Sequence, residues 1–311
     1  MKRLTEERYR SASRYMKNHA RSLERKLFLV RFAGKPAGDA VDELTQYRNP
    51  DRGYGQALEP DMRSPSSSSL ETAMALFHMR DLGLDAEHPL VSEAIAYLIE
   101  TIDPERWVWK PTPADINTYP HGPWWSDLDG QLGKTFDDFA VIPRARIVAL
   151  LHHYSDAVPS HEWLQELTER TVASIEELAN ERLWSGTLAY SLEIADELCV
   201  PDSYRDRVTK RILLEIRSLV TLDEEKWSTY GTPPVLIAPR PECIAAHALQ
   251  EDVARNLDWL IDQQTERGCW EPNWFWVKAY PDAWEIAKRE WCGVVTYETL
   301  SALRAYGRLP A

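Results

Sequence analysis

Three tryptophans stand at equal intervals in this chain. Trp184, Trp227 and Trp270 are each 43 residues apart, and each follows a stretch that reads as two consecutive helices. A fixed interval of this size is the mark of a repeated supersecondary unit, which cannot bury its apolar face alone and stacks on its neighbours. Trp107 and Tyr54 continue the series backwards at longer spacings, each lengthened by an irregular stretch. The most complete turn is Gln264-Thr-Glu-Arg-Gly268-Cys-Trp270. There Gly268 suits a helix C-terminus, since a left-handed backbone costs glycine nothing, and Trp270 supplies a broad apolar face with one N–H.

Apolar spacing places the helices between these turns. Residues 3–32 carry a helical stripe through Tyr15, Leu23, Leu27 and Val30, and 39–47 form a short second helix. The serine run ending at Ser69 caps a helix over 70–82, and Pro89 opens another that runs to about 101. Further helices are expected at 144–156, 160–180, 187–199, 202–220, 242–250, 252–264, 282–291 and 293–306. No segment alternates as a strand does. The reading is an all-α chain of six αα-hairpins, over about 1–54, 55–107, 108–184, 185–227, 228–270 and 271–311, in one (α/α)6 toroid with inner and outer helix rings. The stretch 104–143 shows neither period, yet it is rich in Pro, Trp and acids. Its aromatics argue for an ordered insertion with a function.

The formal net charge of −13 argues against nucleic acid and anionic membrane as partners, because phosphate binding needs clustered Lys and Arg. Four cysteines without CxxC spacing suit reduced thiols, and no run is apolar enough to span a membrane, so a cytoplasmic location is expected. No cofactor is indicated.

The Gln264-x-x-x-Gly268-x-Trp270 turn resembles the QW repeat of squalene-hopene cyclase and its relatives, in the terpenoid-cyclase and protein-prenyltransferase superfamily of α/α toroids. Asn49-Pro-Asp-Arg-Gly-Tyr-Gly55 resembles a degenerate copy. Ala57-Leu-Glu-Pro-Asp-Met-Arg63 and Tyr119-Pro-His-Gly-Pro-Trp-Trp125 look like bacterial single-domain prenyltransferase-like proteins. The resemblance implies a small apolar, isoprenoid-like ligand in a central cavity. The chemistry of the superfamily transfers less readily. Asp127-Leu-Asp129-Gly130 lacks the last acid of the Asp-x-Asp-Asp motif. Cys243 and His247 lack the Asp-x-Cys zinc spacing, and Cys292-Gly293 lacks the rest of a thioester motif.

Four groups are candidates for a site. Glu59, Asp61 and Arg63 follow the first aromatic turn, with Tyr54 in the turn itself. They either share a proton and hold substrate, or order the Pro60 turn through an ion pair. The insertion offers Asn117, Tyr119, His121, Trp124, Trp125, Asp127, Asp129, Asp137 and Asp138. Acids among aromatics suit alkene protonation with cation stabilisation by ring faces, or sugar binding, or a loop anchored by tryptophans. Cys243 with His247, and His152 with His153, are pairs better suited to the core than to zinc, which needs a third ligand. Trp274 and Trp276, near Trp270 and Trp284, either line a cavity or brace the last turn. The leading expectation is a protein that binds, or binds and cyclises, an isoprenoid, with Asp127 or Asp129 as the acid and Trp124 and Trp125 as walls. A carbohydrate-active (α/α)6-barrel enzyme with an acid-lined groove, and a non-catalytic scaffold module, are the alternatives.

Overall fold

Helices account for all the regular structure. The computed structural model describes residues 1–310, and among the described residues there are fourteen α-helices and no strand. They are α1 (Glu6–Asn18), α2 (Ser22–Ala33), α3 (Gly38–Leu44), α4 (Ser69–Asp81), α5 (Pro89–Thr101), α6 (Gln131–Thr135) and α7 (Arg144–His153). After these come α8 (His161–Glu177), α9 (Ser185–Asp196), α10 (Asp202–Leu213), α11 (Ile216–Leu219), α12 (Pro234–Ile237), α13 (Gln250–Asp262) and α14 (Pro281–Ala305). No helix among the described residues is long and apolar enough to cross a membrane.

The chain divides into two compact units. One comprises Leu44–Leu214; the other joins Met1–Glu43 to Glu215–Ala311. In the continuous unit α7, α8, α9 and α10 pack side by side, and α4 leans on α5 and α7. In the split unit α1, α2 and α14 pack together. The two ends of the chain are tied there: the Leu4 amide donates to the Arg308 carbonyl at 2.8 Å, and Arg308, only 4% exposed, reaches Asp258 at 2.6 Å.

Several helix boundaries differ from the sequence expectation, each for a visible reason. The run 3–32 is two helices, broken at His19-Ala20-Arg21. The break lets Ala20 meet Gly293 so closely that a Cβ on that glycine would lie 3.2 Å from the Ala20 methyl. The same contact explains why 282–291 and 293–306 are one helix, α14. Gly293 is there for a close approach and does not end the helix. The run 202–220 stops at α10 and resumes as α11, and the break falls where one unit gives way to the other. No helix forms over 242–250. Its backbone bonds skip between three- and four-residue closures while Cys243, Ala245, Ala246 and Leu249 are buried, so packing overrides propensity. The cap before 70–82 is Ser68, whose hydroxyl accepts the Glu71 amide at 3.1 Å.

The insertion is ordered, as its aromatics imply. Val108, Ile116, Trp125, Leu132, Phe136, Phe139 and Ile142 bury one another with Met62 and Leu70, and Met74, Trp124, Trp184 and Tyr190 pack against the cluster. Trp125 stacks on Phe136 with centroids 5.0 Å apart and planes 12° from parallel.

The tryptophan turns hold helix ends. The Trp270 indole donates to the Leu260 carbonyl in the last turn of α13 at 2.7 Å. The Trp109 indole does the same for Leu98 in the last turn of α5, also at 2.7 Å. Those carbonyls lack a partner within their helices or share one at best, so an indole N–H is well placed there. Trp107, the residue in register with the series, instead stacks on Trp163 and takes Arg170 against its face. Gln264 completes the last turn by donating to the carbonyls of Gly268 at 2.9 Å and Arg8 at 3.0 Å. Gln264 to Trp270 is therefore an architectural clasp between α13, α14 and α1.

Candidate active site

The residues with chemistry collect in the continuous unit, around an arch formed by 54–69. Its base is set by Tyr54, whose amide donates to Thr72 Oγ1 at 3.0 Å and whose carbonyl accepts the Ser68 amide at 2.9 Å. Gln56 and Ala57 take left-handed backbone angles, φ 59° and 60°, which a non-glycine residue adopts at a penalty that surrounding structure must offset. Gly55 is required by space: a Cβ would lie 2.3 Å from the Ser66 carbonyl oxygen across the arch. Ser64 and Ser66 both donate to Asp115, at 2.7 and 2.8 Å, and fasten the far limb to the insertion.

The arch and the first turn of α4 bury three carboxylates. Glu59 is 7% exposed, Asp61 1% and Glu71 0%; His121 is 7% exposed. Glu71 anchors the group, accepting the Ser68 hydroxyl at 2.9 Å and the Glu59 amide at 3.3 Å. Residues 61–63 and 120–122 run antiparallel, with the Arg63 amide donating to the Pro120 carbonyl at 3.0 Å and the Gly122 amide to the Asp61 carbonyl at 2.9 Å. Met62 and His121 thus face each other as a non-hydrogen-bonded pair, the arrangement that brings Cβ atoms closest. The imidazole is oriented by its Nδ1, 2.7 Å from the Tyr119 carbonyl. Gly122 leaves space for Trp124, whose ring would lie 2.7 Å from a Cβ there.

Met62 connects the acids to the aromatic cluster, since it is buried among the rings while its neighbours Asp61 and Arg63 flank it. Tyr190 makes a second connection. Its ring carries the Arg146 guanidinium at 4.1 Å, which is also hydrogen-bonded to both carboxylate oxygens of Glu193 at 3.0 and 2.9 Å. Burial, foremost, pushes the Tyr190 phenol up to about 12; Arg146 opposes this, while Glu193 and Glu59 add to it. Burial likewise pushes the phenol of Tyr54 well above its ordinary range. The buried polar groups without a hydrogen-bond partner in this region include the Trp125 indole N–H and the Tyr54 hydroxyl.

The other residues singled out in the sequence lie elsewhere. Asp127 is ion-paired with Lys110, and its amide donates to Asn117 Oδ1 at 3.0 Å. Asp129 is exposed in a left-handed turn, φ 51°, and Asn117 is exposed as well. Asp137 pairs with Arg182 and Asp138 with Arg106. Trp274 and Trp276 belong to the split unit. There Trp274 packs edge-on to Trp291 at 4.9 Å, and Trp276 sits between Trp284 and Tyr280. Cys243 is buried while His247 is exposed, and no helix places them on one face. His152 faces the core, hydrogen-bonded to Thr168 Oγ1 at 2.8 Å, and His153 faces outward.

Sequence reasoning missed Glu71, Tyr190, Arg146 and Glu193. Glu71 was within reach, because Ser68-Ser-Leu-Glu71, serine three residues before glutamate, is the capping-box pattern. Arg146 and Glu193 are 47 residues apart and carry no local signal. Two surface hollows, about 500 and 720 Å³, lie in the split unit; one is lined by Arg31, Phe32 and Arg304, the other by Glu224, Arg255 and Trp259. Neither includes a residue of the arch. Comparison with protein-family models and with curated proteins returns no match.

Proposed function

We propose that the arch is a proton-donating site for a small apolar, isoprenoid-like ligand, in a cytoplasmic protein resembling the terpenoid cyclases. The observation that carries this reading is the burial of Glu59, Asp61 and Glu71 beside a cluster of aromatic rings. Burial and a neighbouring carboxylate each favour the protonated form of a carboxyl group, which is the form a proton donor needs. A protonated acid close to aromatic rings is the equipment for adding a proton to an alkene. Ring faces then stabilise the resulting cation. The acid in this reading is Asp61 or Glu59, with His121, bridged to Met62 across the antiparallel segments, as the group to restore the proton. Asp127, already paired with Lys110, and the exposed Asp129 are less suited to the role. The unpartnered Trp125 N–H would meet a ligand oxygen.

A scaffold reading has one specific observation in its favour, the hydrogen bonds of Glu71 to Ser68 and Glu59, which tie the arch together. Binding separates the two. Organic extraction of the purified protein followed by mass spectrometry, with farnesol titration monitored by tryptophan fluorescence, is expected to reveal a co-purified apolar molecule or saturable binding. Trp125→Phe, which keeps the stack and removes the N–H, is expected to weaken farnesol binding by about five- to tenfold, the worth of one hydrogen bond. A folded protein that yields no extract and does not bind farnesol supports the scaffold.

A further inference from the structure

The thiols of the split unit are unused by the proposed function, yet two of them converge with a carboxylate. Cys269 and Glu271 flank Trp270 in the clasp, and Cys292 lies in the middle of α14. The two sulfurs and a carboxylate oxygen are all within 4.8 Å of one another. Cys269 is fully buried and Cys292 is 1% exposed. Zinc at about 2.3 Å from each sulfur needs sulfurs roughly 3.8 Å apart, which falls inside that 4.8 Å limit.

The fold sets this arrangement. In extended chain alternate side chains share a side, so Cys269 and Glu271 point one way and the Trp270 ring the other. The Trp270 amide donates to Thr296 Oγ1 at 3.0 Å, one helical turn beyond Cys292, which lays the clasp along α14. Thr265 Oγ1 is 3.3 Å from Cys269 Sγ. Glu271 is paired with Arg267 and with Lys288 at 3.1 Å. Those cations orient the carboxylate and offset the residual negative charge of zinc held by two thiolates and a carboxylate, as outer partners commonly do.

We propose that Cys269, Cys292 and Glu271 bind one zinc ion, a water completing the tetrahedron, and that the ion staples the Gln264–Trp270 clasp to α14. Binding releases the two thiol protons to solvent. A disulfide is the less favoured use of the pair: it needs an oxidant to reach two sulfurs enclosed by protein, and it leaves Glu271 and its cations without a part.

The test uses the full chain, purified with a reducing agent and without chelators from zinc-supplemented cells. Native mass spectrometry and elemental analysis are expected to find about one zinc per chain, lost on Cys269→Ser or Cys292→Ser and kept in Cys199→Ser. Replacement by Co²⁺ is expected to give near-ultraviolet thiolate-to-cobalt absorption in the wild type, a readout that does not depend on the variants folding. Wild-type protein that is folded, free of zinc and silent with Co²⁺ overturns the proposal. A reduced-chain mass accompanied by a species two mass units lighter, without metal, overturns it in favour of the disulfide.

Discussion

The Gln264–Trp270 clasp and the Tyr54–Ser69 arch are both aromatic turns, and they are built on opposite principles. In the clasp, glycine stands where the backbone turns left-handed: Gly268 has φ 89°. Every polar group named there has a partner, and Trp270 and Gln264 spend their donors on helix-end carbonyls. In the arch, non-glycine residues hold the left-handed angles and acids sit where apolar side chains would be cheaper. Among the described residues, all eight non-glycine residues with positive φ lie in the continuous unit: Arg52 just before the arch, Gln56 and Ala57 in it, and five from Trp107 to Phe139 in the insertion. A turn made only to connect helices does not need strain or buried carboxylates. Where both persist, the surroundings offset them, and such places concentrate at functional sites.

The contrast predicts unequal responses to substitution. The largest loss is expected for Gly268→Ala: a Cβ there meets Ser11 backbone atoms at 2.6 and 2.7 Å on top of the unfavourable φ. Thermal or urea unfolding should show a loss on the order of 3 kcal/mol. Gly34→Ala is the matched control, with φ 62° but nothing within 4 Å, and should lose only about 1 kcal/mol. Equal losses would mean that the close approach to α1 contributes nothing.

The continuous unit should carry an acid sensitivity of its own. Burial lowers His152 to about 4, with Glu197 opposing, against 6.5 when unfolded. The unfolded chain therefore binds a proton below about pH 6.5 that the folded chain refuses until about pH 4. Stability is full above that window and falls as pH drops through it, by up to about 3 kcal/mol. Urea midpoints at pH 7 and pH 4.5 measure it, and His152→Gln should flatten the difference.

Smaller effects separate the two turns further. Trp270→Phe keeps the ring and removes the bond to Leu260, for a loss of about 1 to 2 kcal/mol in chemical denaturation. Ser68→Ala removes the α4 cap and the Glu71 partner, for about 1 kcal/mol. A Ser68→Ala loss above that of Trp270→Phe would make the arch the stronger clasp and favour the scaffold reading.

Much of this was legible in the residues. Proline, glycine and serine punctuation located α4 and α5 to within a residue, and the apolar stripe gave α7 to α10, because those signals are local. The single helix α14 was not legible, since Gly293 reads as a stop unless Ala20 is known to lie against it. Trp109 replaced Trp107 as the helix-end clasp for a similar reason: an equal interval names a position, while the carbonyl to be satisfied selects the side chain. At the site, Glu59, Asp61, His121 and Trp125 were singled out by their interleaving, but nothing local says that Asp129 faces water and Asp61 does not.

The most direct measurement of the central claim is turnover in D₂O. Wild-type protein is incubated with acyclic isoprenoids, among them farnesol and squalene, beside Asp61→Asn and Glu59→Gln, and products are examined by gas chromatography and mass spectrometry. Protonation by the arch predicts a product carrying one solvent deuterium at carbon. It also predicts loss of that product in at least one of the two variants, with unfolding midpoints near wild type. Turnover that survives unchanged in both folded variants, or the absence of any deuterated product from wild type, contradicts the account.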